Sequence, residues 1–129
     1  MFIGNLNKDQ QGVLLAIAQK LINVDGQVSV EEVAILEQIK LQCDNDVEAI
    51  SYTEESMITL FPDRRSKVSL LLEILGVAYS DTEYCNKEQD FLTSLASNLS
   101  INDKELQKLT NWVTRQLNLV QEVALLMEE

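Results

Sequence analysis

Ala18-Gln19-Lys20-Leu21-Ile22-Asn23-Val24-Asp25-Gly26-Gln27-Val28-Ser29-Val30-Glu31-Glu32 sets the architecture of the chain. It begins as the end of an amphipathic helix. Leu14, Ile17, Ala18 and Leu21 recur at helical spacing between Asp9 and Ile22, and Asn23-Val24-Asp25-Gly26 then breaks the pattern. Ser29-Val30-Glu31-Glu32 has the form of a capping box, in which the Ser29 oxygen accepts the backbone N–H of Glu32 and the Glu32 carboxylate accepts that of Ser29. A second helix is therefore expected over Val30–Gln42, with Val33, Leu36 and Ile39 turned inward.

The same unit recurs 56 residues later, where Tyr79-Ser80-Asp81-Thr82-Glu83-Tyr84-Cys85-Asn86-Lys87-Glu88 aligns with Asn23 to Glu32. Asp25 then meets Asp81, and Glu32 meets Glu88. Each half reads as an apolar helix, an Asp at the turn, and a Glu seven residues on, near the start of the next helix. Outward from these units, Asp44-Asn45-Asp46 marks a turn, Val47–Ser51 is expected as a short helix, and Thr53-Glu54-Glu55-Ser56 as a helix start running to Leu60. Phe61-Pro62-Asp63 is the sharpest punctuation, because Pro62 disfavours helix at Phe61 while Asp63 can cap the next helix. Between Arg64 and Tyr79 apolar residues cover most of the helix circumference, which predicts a central helix. Asn86 opens a helix that is expected to contain Phe91, Leu92, Leu95 and Leu99, and Asn102-Asp103-Lys104-Glu105 forms another capping box. In the last helix Leu106, Leu109, Val113, Leu117, Val120, Ala124 and Met127 step by three or four. That stripe is expected to face the core. The alternative is that its final turns pair with another chain, giving a homodimer through the C-terminal helix.

The expected fold is all-α: a compact helical bundle of about six to seven helices with an internal pseudo-twofold duplication of a helix-turn-helix unit. A single domain is expected over 1–129, with repeat 1 at about 8–60 and repeat 2 at about 63–127. One proline and four glycines in 129 residues leave little material for strands and tight turns.

Composition narrows the function. Ten basic against twenty-one acidic side chains give a net charge of -11, which repels phosphate backbones and anionic headgroups, so neither nucleic acid nor a membrane surface is an expected partner. A protein with a basic patch, a polyamine or a metal ion suits that field. No run approaches the roughly 20 apolar residues of a membrane span, and the first residues lack the pattern of a signal peptide, so a cytoplasmic location is expected. Cys43 and Cys85 stand in no CxxC pattern and read as two reduced thiols. There is no histidine, which removes the commonest general base, the Ser-His and Cys-His nucleophile pairs and imidazole zinc sites. The few aromatics offer little of the cleft a carboxylate glycosidase needs, so no enzyme is expected and no catalytic residue is assigned.

The acidic turns admit a metal reading. Asp25, Gly26, Val28, Ser29 and Glu32 fall at positions five, six, eight, nine and twelve of an EF-hand loop, but positions one and three would be Leu21 and Asn23, and the second copy has Val77 and Tyr79 there, with Thr82 for glycine. The missing first ligand argues against an ordinary EF-hand. Two incomplete loops could still share one divalent cation if the duplication brings the turns together. Asp25, Glu32, Asp81 and Glu88 would then supply hard oxygen ligands suited to calcium, magnesium or manganese. The bland reading is that Glu32 and Glu88 serve as helix-start residues, favoured by the helix dipole with no ion present.

On Ala18 to Glu32, and on a weaker copy from Leu75 through Asp81 and Glu88 to Leu99-Ser100-Ile101, the chain resembles the TerB-like superfamily. These are small helical domains named for a tellurite-resistance protein and also found in J-domain co-chaperones. Thr82 and Ser100 stand where glycines would be typical. The resemblance implies an all-helical fold with a pseudo-twofold duplication, acidic residues clustered at the two turns, and a non-enzymatic role in bacterial stress response. Metal sensing and protein scaffolding have both been proposed for such domains. An acidic protein-interaction scaffold is the expected function, and a divalent metal-ion binder or sensor is the alternative.

Overall fold

The computed structural model describes residues 2–24, 30–79 and 86–128, and its regular structure there is wholly helical. A 3-10 turn at Ile3–Asn5 precedes α1 (Lys8–Ile22), α2 (Val30–Gln42), α3 (Ser56–Leu60), α4 (Arg64–Ala78), α5 (Asn86–Asn98) and α6 (Asp103–Met127). The expected all-helical bundle is what is observed. Its internal recurrence is visible in the helix boundaries, since α1 and α4 are both 15 residues long, α2 and α5 both 13, and each pair is offset by 56 positions.

The recurrence extends to the physics at the helix starts. Asn7 accepts the backbone N–H of Gln10 at 2.9 Å while the Gln10 carboxamide oxygen accepts that of Asn7 at 2.9 Å, a reciprocal capping box. At the equivalent place Asp63 accepts the N–H of Ser66 at 3.0 Å and caps α4, as Phe61-Pro62-Asp63 predicts. Equivalent apolar positions are buried in both halves: Leu14 with Leu70, Leu15 with Leu71, Ala18 with Ile74, Leu21 with Val77, and Ile39 with Leu95. Helices α1 and α4 form the central pair; α2 packs on both, while α5 and α6 pack on α4 and on each other. The N-terminal strap crosses α4. The Phe2 N–H donates to Glu73 at 2.7 Å, Asn5 donates to the Ser69 hydroxyl at 3.0 Å, and the Phe2 ring meets Trp112 edge to face at 5.6 Å.

Three expectations for the residues before α4 need correction. Val47–Ser51 is not helical but irregular. The Ile50 N–H donates to the Gly12 carbonyl at 3.2 Å, a bond to α1 that diverts this backbone from its own helix. The helix expected from Thr53 starts at Ser56, because Thr53 and Ser56 exchange side-chain bonds to each other's N–H at 2.9 and 3.1 Å and hold a turn ahead of it. Val33 is 41% exposed and does not point into the core; α2 buries Glu32 and Ile39, and packs Ile35 and Leu36 only in part.

The last helix departs most from expectation. Val113 is buried and Leu106, Leu109 and Leu117 are partly so, but beyond Leu117 the stripe leaves the bundle. Val120 is 61% exposed and Met127 77%, and Ala124 is exposed as well. At 25 residues α6 outruns the 15-residue α4 on which it packs, by about 15 Å at 1.5 Å per residue.

Candidate functional site

Two regions carry the chemistry. The first is the pair of equivalent helix starts. Glu32 and Glu88 stand in the first turns of α2 and α5, 5% and 4% exposed, although glutamate is among the residue types least often buried. Each takes part in a polar or electrostatic interaction. A carboxylate buried in both halves at the same position of the repeat requires compensation, which hydrogen bonding to a helix start or a cation can supply. Asp25 and Asp81, expected to join them, lie outside the described residues, as does Ser29 of the expected capping box. Among the described residues no group of three or more His, Cys, Asp or Glu side chains is placed to hold a metal ion.

The second region is the connector between α2 and α3, which spacing and charge alone mark only as a turn and a short helix. It is held to α1 by a buried glutamine and a glycine in succession, and the glutamine before them holds the end of α3. Gln10 donates to the Leu60 carbonyl at 2.7 Å, and Gln11 accepts the Asp44 N–H at 2.8 Å while donating to the Leu6 carbonyl at 2.9 Å. Gly12 accepts from Ile50. With its backbone so satisfied, the connector presents its charges outward. Asp44, Asp46, Glu48, Glu54 and Glu55 are all exposed, and no Lys or Arg occurs between Lys40 and Arg64. Leu41 at 84% and Ile58 at 52% add exposed apolar surface at either end.

Grooves flank this connector. One runs between α1 and residues 49–52, lined by Ala16, Gln19, Lys20, Ile50 and Tyr52, and the next lies between Lys20, Tyr52, Glu54 and the Phe91 face of α5. The Lys20 ammonium sits 4.6 Å from the centre of the Tyr52 ring and forms the ridge that separates them. On the other side Cys43 is half-buried beside Asp44. Burial, and then the negative charges of Asp44 and Glu73, push its thiol above the ordinary range. The signal for this region is present in the sequence as a base-free acidic run, but its hold on α1 depends on contacts between residues over thirty positions apart.

Among known families, the model described as tellurite resistance protein TerB matches residues 34–111, from the first turns of α2 to the middle of α6. The chain belongs to the TerB family. No curated protein and no solved structure matches it. The match takes in the acidic connector, α4, α5 and Glu88, while Glu32 and the exposed last turns of α6 lie outside it. TerB is not a known enzyme family. No helix of the described residues is long and apolar enough to cross a membrane.

Proposed function

We propose that this TerB-family chain is a non-enzymatic protein-interaction module whose docking face is the acidic connector from Leu41 to Ile58. The observation that carries the reading is the exposure of five carboxylates on a backbone held to α1 through Gln11 and Gly12, with no Lys or Arg in the segment itself and Lys20 and Lys40 only at its edges. Fixed like charges cost little in water but become favourable when a cationic surface approaches, and they steer it there over several ångströms. Exposed Leu41, Ile50 and Ile58 would supply the apolar contact that charge alone lacks. The partner is therefore a protein segment with Lys or Arg interleaved with apolar residues. Calorimetric titration with a synthetic lysine- and leucine-containing peptide tests this. Saturable binding is expected, weakened at least tenfold in an Asp46→Lys/Glu48→Lys/Glu54→Lys variant and by added salt. Equal affinity for the variant would rule the face out.

A second reading rests on a separate observation, the burial of Glu32 and Glu88 at equivalent positions. A divalent cation held by these carboxylates together with Asp25 and Asp81 would make the chain an ion binder or sensor, with calcium, magnesium and manganese as the chemically suited ions. Titration of chelator-treated protein with each ion separates the two readings. Saturable heat that is lost in Asp25→Asn/Asp81→Asn supports the ion. Heat no larger than dilution leaves Glu32 and Glu88 as helix-start groups.

A further inference from the structure

We infer that the exposed last turns of α6 pair with the same turns of a second copy of this chain, antiparallel. This pairing is independent of the acidic connector and of the two buried glutamates.

A heptad runs along α6. Leu106, Val113, Val120 and Met127 share one position, and Leu109, Gln116 and Val123 share the position three residues on, the a and d sites of a helix seam. The bundle uses the first half of this seam, since Val113 is buried and Leu106 and Leu109 are partly buried. Among the described residues nothing covers the second half. Val120 is 61% exposed, Val123 48% and Met127 77%, and the flanking Leu119 and Leu126 are 59% and 84% exposed. A seam continuous in register with one already packed against helices calls for another helix as its cover.

Self-complementarity and charge identify the occupant. In an antiparallel pair, Val120 of one copy faces Val123 of the second, Met127 lies over Gln116, and Leu119 meets Leu126 across the rim. Val120, Val123, Leu119 and Leu126 thus find apolar neighbours, while Met127 lays its flexible side chain along the stem of Gln116. The flanking positions hold Leu117, Leu119, Ala124 and Leu126, so no carboxylate of one copy is forced against one of the other, and Glu122 and Glu128 lie off the seam. At roughly 60–100 Å² for each of the five such side chains on either copy, pairing removes about 600–1,000 Å² from water, the size of a weak and reversible interface.

Orientation is decided by the net charge of -11 on each copy. Parallel helices would set the two acidic bundles side by side, about 10 Å apart at their axes. Antiparallel pairing about Val120 and Val123 places the two Val113 residues on the order of 25 Å apart along the axis, well beyond the screening length of about 8 Å at physiological salt. Residual repulsion between the bundles is then relieved by added salt.

Sedimentation equilibrium tests the inference, from about 5 to about 500 µM, the range that brackets an interface of this size. The expected result is a monomer–dimer equilibrium with a dissociation constant on the order of 10–100 µM that tightens as salt is raised, the reverse of the effect expected for a basic peptide on the connector. Val120→Asp/Val123→Asp and, as a second variant nearer the helix end, Leu126→Asp/Met127→Asp should each weaken it at least about a hundredfold, with helical circular dichroism retained. In a Cys43→Ser/Cys85→Ser background, chains carrying Val120→Cys and Val123→Cys should cross-link chiefly to each other when mixed and oxidised. A chain that stays monomeric throughout, or a dimer that survives both variants, overturns the inference. Homotypic cross-links in excess of mixed ones overturn the antiparallel arrangement.

Discussion

Gly12 and Glu48 meet where only a glycine fits: a Cβ on Gly12 would stand 2.8 Å from the carbonyl oxygen of Glu48 and 3.1 Å from the Ile50 side chain. In an exposed helix, glycine to alanine stabilises by about 1 kcal/mol. Here the obstacle is backbone that is itself bonded to α1 through Ile50, so it cannot swing aside without losing that bond. Gly12→Ala is expected to destabilise the fold by about 1–3 kcal/mol, read as a lower midpoint in urea unfolding. A variant as stable as the parent would mean that the connector is not held against α1.

Ser100 occupies the position after α5 where the chain turns left-handed, with φ 60°. Its N–H donates to the Ser97 carbonyl at 2.9 Å and the Ile101 N–H to that of Ala96 at 2.8 Å, the two bonds of a Schellman cap, with Ile101 buried behind them. The geometry suits glycine, and serine fills it at a steric cost. Ser100→Gly should therefore stabilise, by about 0.5–1 kcal/mol after the entropy glycine adds to the unfolded chain is subtracted. Thermal melting should show a rise of a few degrees, about 3–5 °C per kcal/mol for a chain of this size. A fall would mean that the serine hydroxyl does more here than the backbone angle suggests.

Asp63 caps α4, and its carboxyl is held below the usual carboxylate range, first by the backbone N–H of Ser66 and then by the Ser66 hydroxyl. A folded-state pKa below the unfolded one contributes stability that is present above the unfolded value, about 3.9, and is lost as pH falls through the folded value. Asp63→Asn keeps a capping oxygen and removes the charge. The parent should melt higher than this variant at neutral pH, and the gap should close as pH drops below about 4. A gap that persists to the lowest pH would locate the effect in packing.

What could be read from the sequence was local, and what could not was tertiary. The 56-residue recurrence, the breaks at Asn23 and Pro62, and the caps at Asp63 and Asn102 depend on side chains bonding within a few residues, and α1, α4, α5 and the start of α6 are legible from them. The Val47–Ser51 segment has helix-compatible residues, but a single bond to Gly12 outweighs that preference. Periodicity in α6 reports that one face is apolar, not how far the bundle reaches to cover it; the cover stops at Leu117. Of the candidate ligands, Glu32 and Glu88 share the burial that their shared place in the repeat implies. Asp25 and Asp81 fall outside the described residues. The acidic connector is legible as charge but not as surface, because Gln11 and Gly12, which hold it, read only as ordinary helix positions.

Two independent effects act on the Cys43 thiol in the same direction. Burial disfavours the thiolate most, and the neighbouring carboxylates of Asp44 and Glu73 disfavour it further. Alkylation proceeds through the thiolate, so at neutral pH Cys43 should react more slowly with iodoacetamide than a free cysteine of ordinary pKa, about 8.5. Its rate should keep rising with pH past the point where the reference levels off. Peptide mapping by mass spectrometry separates Cys43 from Cys85. Asp44→Asn removes only the second contribution and should raise the Cys43 rate modestly. If Cys43 in the parent chain matches the free thiol at every pH, its partial burial beside α2 is not maintained in solution.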